Sequence, residues 1–182
     1  ELGMAATVAS RGDVVLVDQE YTQTISVAAG ITLDVVGTRL IGLGSGTLKP
    51  TLTFDTATTA DVLVTAANSH IENFRFVSAI NDLGMFLDVN VGQLTVKDCD
   101  FVTSSTNEAF AFIDIATTFD DFKILGCTFL QPTDPAGTND GVNTGAIYLV
   151  DTENILVQDC TFVGFFETSI IHNDTTACTN LI

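Results

Sequence analysis

The sequence predicts an all-β chain folded as a right-handed parallel β-helix of about six or seven rungs, with a short N-terminal capping helix. Three observations lead to this prediction. A short motif recurs along the chain, strand-type segments separated by turns lie between its copies, and an Asn, Asp or Gly stands at the same place in every copy.

The recurring motif is an apolar residue, then Asn, Asp or Gly two positions later, then Phe or Cys, any residue, Phe and an aliphatic residue. Its four copies are Ile71–Val77, Val96–Val102, Ile124–Leu130 and Val157–Val163. The second aromatic position recurs at Phe76, Phe101, Phe129 and Phe162, in steps of 25, 28 and 33 residues. A period of this size is typical of solenoids, in which each repeat contacts only its neighbours.

The segments between turns are rich in Val, Ile, Thr and Phe and alternate in polarity, as strands do. Examples are Tyr21–Val27, Thr51–Phe54 and Ala146–Val150. Three such strands fit into one repeat. We therefore expect each repeat to form one rung of three strands, stacked about 4.8 Å from the next rung.

The Asn, Asp or Gly of each copy predicts a corner. Strict alternation from Val96 would point Asp98 inward, where an unpaired carboxylate is costly. A bend resets the alternation, and these residue types best tolerate the left-handed conformation that a sharp bend requires. The predicted corner residues are Asn73, Asp98, Gly126 and Asp159. Two interior ladders follow the corners: Phe74, Cys99, Cys127 and Cys160, and then Phe76, Phe101, Phe129 and Phe162.

Composition restricts the partners. The chain has 182 residues, of which 46% are hydrophobic and 16% charged, and its formal net charge is −17. This charge repels phosphate backbones and anionic membranes, so we expect neither nucleic acid nor membrane as a partner. No apolar stretch approaches the roughly 20 residues of a membrane span.

A single domain is expected, in which residues 13–182 form the β-helix and residues 1–12 are a residual N-terminal cap, with Leu2–Ala9 as the end of its helix. The chain starts at Glu1 and stops at the apolar pair Leu181–Ile182. We expect it to be a segment of a longer chain, or to have ends that a partner covers.

Most of the chain carries a resemblance, which begins with three motifs near the start. Arg11–Val17, Val27–Leu33 and Leu40–Gly44 follow one another as Gly-Asp with a short strand, Gly-Ile-Thr-Leu, and Gly-x-Gly. In this order the chain resembles the pectate-lyase-like superfamily, from about Ala5 to Phe162. The resemblance implies the fold, but that superfamily includes lyases, hydrolases, adhesins and virion proteins, so it does not imply one activity. The Cys-x-Phe rungs look most like β-helix modules of phage virions.

The resemblance also implies what an enzyme of this superfamily would need. A pectate lyase uses calcium-binding Asp residues with an Arg or Lys base. Arg75, Lys97 and Lys123 occupy outward strand positions, where they could share a face. No cluster of Asp residues accompanies them on adjacent outward positions.

Polygalacturonases carry Asn-Thr-Asp-Gly, paired Asp, a Gly-His-Gly and a basic motif. Thr138–Gly141 and Asp120-Asp121 echo the first two, whereas His70 and His172 lack the flanking glycines. No catalytic or cofactor-binding residues are therefore assigned.

Cysteine and metal chemistry are treated in the same way. Cys99, Cys127 and Cys160 are expected to be free interior thiols, because stacked side chains point in parallel and hold their Cβ atoms too far apart for a relaxed disulfide. Cys178 lies outside the repeat and remains open to pairing. In the long insertion before Gly145, Asp134, Asn139 and Asp140 are candidate calcium ligands, although their spacing is not that of an EF-hand and a plain surface loop is favoured.

Three functional classes remain. The favoured one is a non-enzymatic structural protein of a bacteriophage virion, such as a head fibre, capsid decoration or tail-associated protein. The alternatives are an extracellular adhesin or filament subunit built of stacked β-helices, and a carbohydrate-active lyase or hydrolase. The expected partners are further copies of the chain, other virion or surface proteins, or a polysaccharide, and the expected location is a virion, the cell surface or the extracellular space.

Overall fold

The computed structural model describes residues 12–115, 120–132, 145–166, 169–173 and 179–181. In these residues the chain is an all-β parallel β-solenoid. The strands in chain order are β1 (Val14–Val17), β2 (Thr22–Ile25), β3 (Ile31–Leu33), β4 (Arg39–Gly42), β5 (Thr51–Phe54), β6 (Val62–Val64), β7 (His70–Glu72), β8 (Arg75–Ser78), β9 (Leu87–Val89), β10 (Thr95–Lys97), β11 (Asp100–Val102), β12 (Ala111–Ile115), β13 (Asp120–Leu125), β14 (Thr128–Gln131), β15 (Gly145–Leu149), β16 (Glu153–Gln158), β17 (Thr161–Gly164), β18 (Ser169–Asn173) and β19 (Thr179–Leu181).

Every third strand stacks in the same sheet. Sheet A is β1-β4-β7-β10-β13-β16-β19, sheet B is β2-β5-β8-β11-β14-β17 and sheet C is β3-β6-β9-β12-β15-β18. All neighbours within each sheet run parallel, as in the pairing of Phe101 with Phe129 between β11 and β14. The chain therefore passes from sheet A to B to C in each turn.

The number of turns is about five, below the six or seven rungs predicted. Sheets B and C each contain six strands, and five passages of the chain separate the first strand of each sheet from the last. The prediction divided the chain into repeats of about 25 residues, but the motif steps widen to 28 and 33 residues in the second half. The extra residues lengthen the connections between strands and add no turn.

The described residues contain no α-helix, only a single 3-10 turn at Gly46–Leu48. The predicted capping helix at Leu2–Ala9 lies outside the described residues. None of the helical structure in the described ranges is long and apolar enough to span a membrane.

The core fills the space enclosed by the three sheets, because alternate side chains of each strand point into it. In β5 and β8 alone, Leu52, Phe54, Phe76 and Ser78 point inward and are buried, while the residues between them are partly exposed. Burying each Phe contributes roughly 1.5–3 kcal/mol. Residues paired in register on neighbouring strands point inward together, so the core is a set of side-chain ladders that run along the solenoid.

At two of the three corners, residues in the left-handed conformation recur at equivalent positions in successive turns. Between sheets A and B, Asn73, Asp98, Gly126 and Asp159 have φ of 63°, 52°, 62° and 55°. Between sheets C and A, a second set occupies equivalent positions in successive turns: Gly12, Gly37, Asn68, Gln93, Asp121 and Asn154, with φ between 57° and 79°. The sequence pattern indicated only the first set, because the second mixes four residue types and carries no fixed neighbour.

Candidate functional site on the outer face of sheet C

One line of outward side chains on sheet C contains several Asp, Tyr and His side chains that could take part in binding or catalysis. In register from turn to turn, this line runs Thr32, Leu63, Asp88, Asp114, Tyr148, His172. We call it the sheet C line. Asp88 points outward because Leu87 and Val89 on either side of it are fully buried. The same alternation turns Asp114 outward between Ile113 and Ile115.

Asp88 and Asp114 are directly paired neighbours on β9 and β12, so their strands lie about 4.8 Å apart. Burial raises the pKa of Asp88, and a hydrogen bond of 2.8 Å donated by Asn90 Nδ2 to Asp88 Oδ1 opposes that rise. Burial, and next the charge of Asp88, raise the pKa of Asp114 to about 6. Asp114 Oδ1 is buried and has no hydrogen-bond partner in the structure.

A third carboxylate, Asp61, precedes β6 and is nearly buried, at 9% exposure. Burial raises its pKa, a hydrogen bond of 2.8 Å from the Ala29 amide opposes the rise, and the charge of Asp88 adds to it. The Asp88 charge therefore acts on both Asp61 and Asp114. Burial therefore raises the pKa of three carboxylates in this part of the solenoid.

Tyr148 and His172 continue the sheet C line on the other side of Asp114. Their rings stack with centroids 4.8 Å apart and planes inclined by 25°. An aromatic platform beside a pair of carboxylates suits a sugar ring, whose apolar face packs on rings while its hydroxyl groups bond to carboxylates. When one carboxyl of such a pair is protonated and the other ionised, the pair can act as general acid and base.

The sequence did not predict this pair, because the expected acidic partners were those beside the basic residues, and the basic residues lie on sheets A and B. Arg75 is on the outer face of sheet B in register with Asp100, while Lys97 and Lys123 are on sheet A. The expectation that the three share a face is therefore wrong for Arg75. A usable signal was present: Leu-Asp-Val at 87–89 and Ile-Asp-Ile at 113–115 place Asp between buried aliphatic residues one repeat apart.

Of the two lysines on sheet A, Lys97 forms ion pairs with acidic residues and Lys123 is exposed to solvent. Lys97 Nζ lies 2.7 Å from Glu72 Oε1 and 3.4 Å from Asp98 Oδ2. The hydrogen bond with Lys97 lowers the pKa of Glu72. His70 Nε2 lies 2.8 Å from the second oxygen of Glu72. Lys123 is exposed and makes no ion pair with any described residue.

The residues that echo hydrolase motifs do not come together. Asp120 Oδ1 accepts a hydrogen bond from the Glu153 amide at 3.0 Å, and Asp121 is a corner residue. His70 is on sheet A, whereas His172 is on sheet C. Thr138–Gly141 and the candidate calcium ligands Asp134, Asn139 and Asp140 lie outside the described residues. The described ranges contain no group of three or more His, Cys, Asp or Glu side chains arranged to hold a metal ion.

The aromatic ladder stacks closely. Ring centroids of Phe76 and Phe101, Phe101 and Phe129, and Phe129 and Phe162 lie 4.8, 5.0 and 4.8 Å apart, with planes within 10° of parallel. The first three of these rings are fully buried and Phe162 is partly exposed.

The neighbouring ladder starts at Phe74, which is fully buried and whose ring centroid lies 6.3 Å from that of Phe76. Cys99, Cys127 and Cys160 follow it as free thiols. Their Sγ–H groups donate to main-chain carbonyls, for example from Cys160 to Ile124 O at 3.4 Å. The hydrogen bond with Cys127, together with burial, raises the pKa of Cys160, so this thiol stays protonated and unreactive. Cys178 lies outside the described residues.

Comparison of the chain with protein-family models, with curated proteins and with solved structures gave no match. The assignment of function therefore depends on the geometry described above and on the resemblance in the sequence.

Proposed function

We propose that the chain is a non-enzymatic structural β-solenoid module of a bacteriophage particle, as a head fibre, a capsid decoration or a tail-associated protein. The observation that carries the scaffold role is the stacked interior: a ladder of Phe rings passes from turn to turn between Phe76 and Phe162, with neighbouring ring centroids 4.8, 5.0 and 4.8 Å apart. A solenoid held in this way is a stiff spacer of defined length, because each turn is fixed on both sides by its neighbours.

The virion setting and the finer fold assignment are supported by the sequence. The order Arg-Gly-Asp-Val-Val, Gly-Leu-Gly and Cys-x-Phe resembles phage modules of the pectate-lyase-like superfamily, whose solenoids are right-handed. The single-residue corner between sheets A and B, with Asn, Asp or Gly, is compatible with that assignment. An experimental map of the particle or of the isolated chain would establish the handedness.

Association with other proteins is supported by apolar side chains on the last turn. Val163, Phe165 and Ile170 are 47%, 44% and 43% exposed. Large exposed apolar side chains are common at protein contacts. The same feature favours the alternative of an extracellular adhesin or filament subunit, in which copies stack end to end.

Imaging of the native assembly tests the scaffold role and separates these two settings. We expect cryo-electron microscopy of phage particles that encode the chain to show solenoid-shaped density at a fixed, symmetric position on the head or tail. Filaments on a cell surface that repeat at the length of the solenoid would instead support the adhesin alternative. A monomer that is found in neither assembly would contradict the scaffold proposal.

A second function is favoured by one specific observation, the adjacent Asp88 and Asp114 with a raised pKa beside the Tyr148–His172 stack. This arrangement favours a carbohydrate-active lyase or hydrolase acting on the outer face of sheet C. Release of reducing or unsaturated ends from polysaccharides would be the readout. Activity that is lost in Asp88→Asn and Asp114→Asn, but kept in the matched corner variant Asp159→Asn, would establish it and overturn the non-enzymatic proposal.

A further inference from the structure

Three free thiols form one line inside the solenoid. Cys99, Cys127 and Cys160 stand directly before β11, β14 and β17, which are successive strands of sheet B. The main chain fixes their register, because the Thr128 amide donates to Cys99 O at 2.9 Å and the Thr161 amide donates to Cys127 O at 2.8 Å. Equivalent cysteines are therefore one strand spacing apart, about 4.8 Å.

The thiols of this line are also in contact with one another. Hydrogen bonds link the thiol of Cys127 to that of Cys99 on one side and to that of Cys160 on the other. The described ranges hold no group of three or more His, Cys, Asp or Glu side chains that converge on one point. The line therefore offers an ion two neighbouring sulfur ligands and no more.

The spacing suits a bridging ion better than a direct bond between sulfur atoms. A disulfide needs sulfur atoms about 2.05 Å apart and Cβ atoms about 3.8 Å apart, which is closer than residues in register on neighbouring strands stand. Two metal–thiolate bonds of about 2.3 Å each span about 4.6 Å when they lie in a straight line. An ion midway between two neighbouring sulfur atoms therefore fits without a shift of the turns.

The surroundings select the ion by its charge and its coordination number. Val96 and Ile124, whose carbonyl oxygens lie 3.7 and 3.4 Å from the Sγ atoms of Cys127 and Cys160, are buried aliphatic residues. A net charge is costly in such an interior. Two thiolates around a divalent cation form a neutral unit, whereas a monovalent cation leaves one negative charge. Zn²⁺ takes four ligands, which this line does not supply, so a soft divalent cation with linear coordination remains.

Solvent reaches the line at one end only. Cys99 and Cys127 are 0% and 1% exposed, whereas Cys160 is partly exposed. An ion from solvent therefore meets Cys160 first, and its second sulfur ligand is then Cys127.

We propose that Cys127 and Cys160 form a two-coordinate site for a soft divalent cation with the chemistry of the mercuric ion, bound between their Sγ atoms. Two S–H bonds break, two metal–sulfur bonds form and two protons pass to solvent, so no oxidant or reductant is consumed. A protonated thiol is a poor nucleophile, but a coordinating metal ion displaces the proton outright. The site is inside the solenoid, away from the sheet C line, and its occupancy depends on neither the virion setting nor catalysis.

Titration with mercuric chloride at pH 7 tests this site. Every chain carries Cys178→Ala, so that the line supplies all remaining thiols. We expect the first equivalent of the ion to release about two protons per ion, to produce the ultraviolet absorption of a bis-thiolate complex, and to leave the oligomeric state unchanged. Zinc chloride should release no protons.

Two variants with equal numbers of thiols test the spacing. Cys127→Ala leaves Cys99 and Cys160 two strand spacings apart, about 9.6 Å, which is too far for one ion. Cys99→Ala is the matched control, since it removes an equally buried thiol and keeps the neighbouring pair. Cys127→Ala should release about one proton per ion and lose the ion to β-mercaptoethanol at about hundredfold lower concentration than the control does, because the second ligand no longer acts within one molecule.

Cys160→Ala should behave like Cys127→Ala, and because its side chain is partly exposed, this variant keeps the comparison valid if Cys127→Ala does not fold. Circular dichroism checks the fold of each chain. Any of four results would overturn the proposal: the parent releases only one proton per ion, the ion cross-links separate chains, Cys127→Ala retains the ion as well as Cys99→Ala does, or Cys160→Ala binds like the parent.

Discussion

The interior ladder of sheet B and the sheet C line show opposite consequences of the same geometry. In both, a parallel stack places each residue beside its equivalent in the next turn. Phe101 and Phe129 are paired in this way and gain from it, since their rings stack 5.0 Å apart. Asp88 and Asp114 are paired in the same way and lose from it, since the charge of Asp88 disfavours the charged form of Asp114. A solenoid therefore repeats the contact between equivalent residues from turn to turn, whether that contact is favourable or unfavourable. A pair of like charges lowers stability, so its presence calls for an explanation other than stability.

The largest expected effect comes from breaking the favourable ladder. Phe129→Ala should lower the free energy of unfolding by about 3–5 kcal/mol, because it leaves a cavity between two stacked rings. Chemical denaturation measures this change. The matched control is Phe165→Ala, whose side chain is 44% exposed and whose loss should cost far less. Similar losses in the two variants would contradict the assignment of the ladder as the stabilising core.

A smaller loss of stability is expected at the corner that precedes this ladder in each turn. Asp98 has φ of 52°, and a β-branched residue resists that conformation by about 1–2 kcal/mol. Asp98→Val should therefore lower the thermal midpoint, whereas Asp98→Asn and Asp98→Gly should stay near the parent. An unchanged midpoint for Asp98→Val would show that the corner does not restrain the chain.

The unfavourable carboxylate pair should reveal itself through pH. The pKa of Asp114 rises from 3.8 to about 6 in the folded chain, so folding favours its protonated form. Its destabilising contribution is absent below about pH 4, grows as the pH rises to about 6 and is constant above that, on the order of 1 kcal/mol once solvent screening is allowed for.

Asp114→Asn should accordingly raise the free energy of unfolding at pH 7 and flatten its dependence on pH between 4 and 7. Unfolding curves at several pH values provide the measurement, and Asp159→Asn on an exposed corner is the control. A destabilised Asp114→Asn at pH 7 would mean that the carboxylate has a favourable partner.

The smallest effect is expected on sheet A, where an acidic residue has a cation beside it. The pKa of Glu72 is lowered, chiefly by its hydrogen bond with Lys97. Its stabilising contribution is therefore present above its unfolded pKa and lost as the pH falls, opposite in sign to that of Asp114. Glu72→Gln should cost under about 1 kcal/mol at pH 7 and less in high salt, because the pair is partly exposed. A cost independent of both pH and salt would point to packing instead of charge.

Much of the scaffold could be read from the chain because a solenoid is built from local repeats. The positions of Phe76, Phe101 and Phe129 in the motif were enough to place them in one ladder, and the Asn, Asp or Gly directly before Phe74 and its equivalents was enough to predict a bend. The number of turns was overestimated because the lengths of the connections, and not the repeat itself, set how many residues a turn consumes.

The sequence by itself determined the parallel stacking of strands, the inward Phe and Cys ladders and the corner between sheets A and B, since each depends on residue types within a few positions of one another. Only the tertiary structure decided that Asp88 and Asp114 are neighbours and that Arg75 lies on a different sheet from Lys97 and Lys123. These relations join residues about one repeat or more apart through the register between turns. Register depends on the length of every connection, which no local pattern specifies.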